Sequence, residues 1–68
     1  MVKIKVVCWT TTLDQVVARL EECGFIKLDV GGPIKGMMMV RGSASQAAIE
    51  MLVGLGGKGI IINWVFDE

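Results

Sequence analysis

The segment Thr12-Leu13-Asp14-Gln15 closes one apolar run, and Ser43-Ala44-Ser45-Gln46 closes another. Each has the form of a capping box. A hydroxyl and a side-chain amide three residues later can satisfy helix N–H groups that have no partner inside the helix. Superposing Thr12 on Ser43 aligns Gln15 with Gln46, Leu20 with Met51, and Val6 and Cys8 with Met37 and Met39. What repeats is the order strand, capped helix, strand. A chain of 68 residues that must hold this unit twice has few folds open to it.

The elements follow from periodicity. Residues 2–9 alternate, with Val2, Ile4, Val6 and Cys8 on one face and Lys3, Lys5, Val7 and Trp9 on the other. Thr10-Thr11-Thr12 ends that strand. Leu13, Val16, Val17, Leu20 and Cys23 recur at helical spacing, Asp14 suits the positive end of the helix dipole, and Gly24 stops the helix. Residues 25–30 read as a second strand, with Ile26, Leu28 and Val30 opposite Phe25, Lys27 and Asp29. Turn chemistry over residues 31–36 leads to a third strand at 37–41. A helix over residues 44–53 follows, apolar around much of its circumference, and glycines in 54–59 break it. Residues 60–66, rich in β-branched and aromatic side chains, form the fourth strand.

The order β-α-β-β-α-β defines an α+β class and the ferredoxin-like split βαβ arrangement. Right-handed crossovers give a four-stranded antiparallel sheet in the order 4-1-3-2, with both helices on one face. Residues 1–68 form one domain. A core this small supplies only about 3–5 kcal/mol, so such domains usually need a further staple. A disulfide is a poor candidate. Cys8 and Cys23 flank a helix roughly 16 Å long, whereas bridged Cα atoms are about 4.4–6.8 Å apart. The chain has no His and no Cys-x-x-Cys pair, which leaves no structural zinc ligand set, and no cofactor is implied. The staple expected is a second subunit.

Composition agrees with that expectation. Hydrophobic residues are 53% of the chain, and a large unshared apolar surface favours association. With the helices on one side, the other side of the sheet is expected to expose Val7, Trp9, Met38 and Val40. The last strand adds either Ile61 and Val65 or Ile60, Ile62, Trp64 and Phe66. A wetted sheet face normally turns polar. Val7, Trp9, Met38, Val40 and Trp64 are therefore the expected contacts of a homo-oligomer, through sheet faces or an edge strand. Seven basic and seven acidic residues cancel, giving no general pull toward nucleic acid or anionic membrane. Two reduced thiols and an alternating start in place of a basic-then-apolar leader point to the cytoplasm.

The glycine-rich segment 54–59 contains Lys58, as a phosphate-binding loop would. Nucleotide fingerprints, however, run strand, loop, helix, so that the helix N-terminus meets the phosphate. This loop runs from helix to strand, which excludes them. The topology instead brings three loops to one sheet edge. Thr10, Thr11, Thr12, Lys35, Gly57 and Lys58 would then surround the N-terminus of the first helix and could hold a small anion. The competing explanation is plain: glycines make tight turns and loop lysines are solvated. Arg41-Gly42-Ser43, at the opposite edge, is a weaker anion candidate because capping already accounts for Ser43. Met37, Met38 and Met39 alternate between sheet faces and cannot chelate one ion. Trp9 and Trp64 lack the basic surround of a base-stacking sheet. Cys8 and Cys23 lack an activating partner, so an enzyme is the least supported function.

The βαββαβ pattern resembles small ferredoxin-like regulatory modules of the ACT and NIL type across the whole chain. The likeness rests on the strand at 36–42, the helix from Ala47-Ala48 to Leu52, and the strand at 59–65. Val40-Arg41-Gly42 followed by Ala47-Ala48 also looks like bacterial microcompartment shell proteins, although this chain is shorter than a shell subunit. No functional residue carries over from either. The first resemblance implies a ligand-binding regulatory module, the second a structural or adaptor subunit with no ligand.

Overall fold

A computed structural model describes residues 1–67, apart from the side chains of residues 55–57. Strand β1 (Val2–Trp9) passes through a 3₁₀ turn (Thr10–Thr12) into α1 (Leu13–Glu22). Strands β2 (Ile26–Ile34) and β3 (Met37–Ala44) form a hairpin, and α2 (Gln46–Gly57) leads to β4 (Ile61–Phe66). The sheet is antiparallel throughout, in the order β2-β3-β1-β4, which is the expected 4-1-3-2 read from the other edge. Among the described residues no helix is long and apolar enough to cross a membrane.

The end of α1 follows the sequence closely. Gly24 adopts φ 93°, its N–H donates to Glu21 O at 3.1 Å, and the Phe25 N–H donates to Leu20 O at 2.9 Å. This pair of bonds is a Schellman motif, with Leu20 and Phe25 joining the same core as its hydrophobic contact. Val16 and Leu20 are fully buried, and Leu13, Val17 and Cys23 pack around them, so the expected stripe is the contact face.

Neither expected capping box forms. Thr12 makes no side-chain cap on α1. Its hydroxyl faces Ile60 O at 3.0 Å and Trp9 O at 3.2 Å, and the 3₁₀ turn supplies the helix entry instead. Ser43 stays in β3, because that strand runs on to Ala44 to pair with the start of β1. The cap of α2 is Ser45, whose Oγ accepts the Ala48 N–H at 3.3 Å. At its far end α2 runs past Val53 and Gly54 to Gly57. Gly54, Gly56 and Gly57 each cost at most about 1 kcal/mol relative to Ala, a cost offset by the burial of Ala48, Ile49 and Leu52 in the core.

The β2–β3 connection is shorter than its composition suggests. Residues 31–34 are strand, leaving Lys35 (φ 53°) and Gly36 (φ 78°) as a two-residue turn. Two positive φ values in succession are what a type I′ hairpin requires. Lys27, also at positive φ, sits in a register shift between Ile26 and Asp29. That shift breaks the expected alternation. Ile26 and Asp29 fall opposite Ser43 and Arg41, while Leu28 packs against the core.

One face of the sheet carries Ile4, Val6, Cys8, Val40, Ala44 and Ile61, all buried beneath the helices against Val16, Leu20, Phe25, Ala48, Ile49 and Leu52. Gly42 belongs to this face. A Cβ there would lie 2.7 Å from Leu28 Cδ2 and 3.3 Å from Ile26 O, so the strand needs glycine to let β2 approach.

Candidate functional site

The uncovered face divides into two halves. Toward one end, Trp9 stands opposite Met37, and Val7 opposite Met39. Ile34 and Gly31 flank the two methionines, and Asn63 flanks Val7. No charge interrupts this half. Trp9 and Ile34 expose about half their surface, at 47% and 56%. Toward the other end, Lys5 and Asp29 both stand opposite Arg41, and Lys3 stands opposite Ser43. Arg41 Nε reaches Asp67 Oδ2 at 3.6 Å on this charged half.

Three of the residues expected on that face are elsewhere. Val40 stands opposite Val6, and Met38 opposite Cys8, both on the covered side. Trp64 also stands opposite Val6 and packs against the core. The cause is register. Moving a strand by one residue exchanges every side chain between faces. The two-residue turn fixes β3 so that Met37 and Met39 face outward, and the extra residue of β4 between Val7 and Cys8 fixes Trp64 inward. Val7 and Trp9 do lie on the open face. The turned-in residues are replaced there by Met37, Met39 and Ile34, which only the hairpin length identifies.

The loop edge is drawn together by two bonds. The Thr10 N–H donates to Gly36 O at 3.1 Å, tying the hairpin tip to the end of β1. The Thr12 hydroxyl donates to the carbonyl of Ile60, just before β4. Thr10, Thr11, Thr12 and Lys35 therefore share one edge. Lys58 instead lines a groove of about 630 Å³ between the two helices, with Arg19, Glu22, Cys23, Met51 and Gly54. Gly57 ends α2, and beyond that its surroundings lie outside the described residues. Periodicity did not anticipate the groove. Its volume suits a small ligand, its floor is largely apolar, and Arg19 on its rim is held by Glu22 at 3.2 Å.

Cys8 is fully buried, and burial pushes its thiol above the ordinary value. A thiol held protonated in an apolar core is a packing group rather than a nucleophile. The three consecutive methionines are split by the sheet, Met38 under the helices and Met37 and Met39 on the open face.

Element order, antiparallel pairing and strand order together define a small ferredoxin-like α+β domain. No protein-family model matches the sequence, and no curated protein matches it. Among solved structures the chain is similar to the solution structure of the C-terminal domain of the MgtC protein from Mycobacterium tuberculosis. The TM-score is 0.71 at 14% identity, over 97% of this chain and 85% of that one. A likeness at that identity concerns the fold alone.

Proposed function

We propose that the chain is a self-associating regulatory module that takes a small anionic metabolite beside the ends of its helices. The observation that carries this proposal is the uncharged half of the open sheet face. The whole surface, 4282 Å², matches the roughly 4,200 Å² of an ordinary folded monomer of this mass. Exposure is therefore unusual in placement and not in amount. Trp9, Val7, Met37, Met39 and Ile34 form one continuous patch, and such patches on small domains mark interfaces. A second copy suits it. Two sheets related by a two-fold axis across the strands overlap their uncharged halves and leave Lys3, Lys5 and Arg41 in water.

The ligand half of the proposal draws on the gathered threonines and Lys35 at the loop edge, on Lys58 at the groove, and on the resemblance to ACT and NIL modules. A rival reading, an oligomerisation adaptor with no ligand, draws on two observations. The Thr12 hydroxyl is directed at carbonyls, and Asp14 places a negative charge in the first turn of α1. Thermal shift against a panel of amino acids and nucleotides separates the two. Saturable stabilisation that is lost in Lys58→Ala supports the module, and silence across the panel supports the adaptor. Light scattering of the purified chain tests association itself. A monomer at high concentration would remove both readings.

A further inference from the structure

The sheet ends in two edges, β2 and β4, and they are unlike. Strand β2 shifts register twice, contains Pro33 with no N–H to offer, and carries Lys27 and Asp29. These are the devices that keep an edge from pairing with other chains. Strand β4 has no charge and no proline, and its one register shift lies before Asn63. Ile62, Val65 and Phe66 are exposed along it.

Backbone geometry says which groups of β4 are free. The Asp67 N–H donates inward to Lys3 O at 2.8 Å, and Val65 and Asn63 stand opposite Lys5 and Val7 in the same register. Antiparallel residues alternate between pairs bonded to the neighbouring strand and pairs whose groups point away. The N–H and C=O groups of Trp64 and Phe66 therefore point away from β1, toward the open edge.

We propose that β4 pairs antiparallel with β4 of a second copy about a two-fold axis at Val65. Trp64 then lies opposite the second copy's Phe66, and Phe66 opposite its Trp64, so the residues with free groups exchange hydrogen bonds with each other. An axis at Asn63 or Trp64 would rely on Ile62, which sits at the register shift. Side chains agree with this register. Trp64 and Phe66 already lie edge to face, with centroids 5.5 Å apart, and pairing extends that contact into a cluster from both copies. Val65 faces its own copy without charge, and the Asn63 amide lies opposite the second copy's Asp67 carboxylate. This edge is a different surface from the open sheet face, so the pairing rests on self-association but not on sheet-to-sheet contact.

Cysteine cross-linking of the full chain in a Cys23→Ser background tests the register. At the axis, a pair not bonded to each other has Cα atoms about 4.5 Å apart, within disulfide range. Val65→Cys is expected to convert to a species of twice the chain mass under mild oxidation. Phe66→Cys, about 7–8 Å from its copy, is expected to stay uncrosslinked, as is Ile26→Cys on the β2 edge. Adding Trp9→Lys should leave the Val65→Cys cross-link intact. If the assembled mass by light scattering is unchanged by Trp9→Lys, the sheet-face proposal fails while the edge stands. A Val65→Cys chain that does not cross-link overturns the edge pairing, including when a strand of another protein covers β4. Equal cross-linking of Ile26→Cys, or loss of the cross-link on adding Trp9→Lys, overturns it too.

Discussion

The two faces of this sheet are built by the same strands and differ in what a side chain on them can do. On the covered face Val6, Val40 and Cys8 meet helix residues Val16, Leu20 and Leu52 with almost no exposure. On the open face Val7, Met39 and Trp9, one residue along the same strands, meet no second layer. Both faces carry large apolar side chains. One holds the fold together, and the other is free to hold copies together. Apolar content alone therefore does not locate the core of a small two-layer domain; the position of the helices does.

That contrast can be broken in order of effect. Leu52→Ala removes a fully buried side chain under the helices and is expected to cost about 2–5 kcal/mol, read by urea denaturation. A smaller loss would mean that α2 is loosely seated. Gly42→Val, also on the covered face, overfills the space against Leu28 and Ile26 and is expected to cost about 1–3 kcal/mol. Trp9→Lys should change the stability of the isolated chain by no more than about 0.5 kcal/mol while lowering its assembled mass in light scattering. A large stability loss in a variant that stays associated would show that the open face serves the fold after all.

The smallest effect concerns Cys8. Burial raises its folded pKa, so its contribution is complete below the ordinary thiol value of about 8.5 and is lost as pH rises through the higher folded value. Stability should fall on the alkaline side, and Cys8→Ala should flatten that limb relative to the parent. An unchanged slope would place Cys8 nearer water than the covered face allows.

Element order, helix α1 with its glycine stop, and the strand order were legible in the sequence because each depends on local spacing and on the handedness of crossovers. The faces of β3 and β4 were not. Residues 31–36 look like one long turn, but the backbone needs only Lys35 and Gly36 to reverse. Composition does not reveal how many glycines a hairpin uses. The same ambiguity misplaced the caps. A serine three residues before a glutamine fits a capping box, yet Ser43 gains more as a rung opposite Lys3, and Ser45 takes the cap. The loop-edge threonines were gathered as topology predicted, whereas Lys58 went to a groove that depends on how far apart two helices sit.

By itself the sequence determined that two strand–helix units would share one small antiparallel sheet, since hydrophobic period and turn residues act over a few neighbours. Only the tertiary structure decided which apolar residues are core and which are surface. Side chains on a strand alternate with a period of two, so a single inserted or withdrawn residue reverses every assignment. Local propensity barely senses that one-residue step; packing of the whole sheet against its helices settles it.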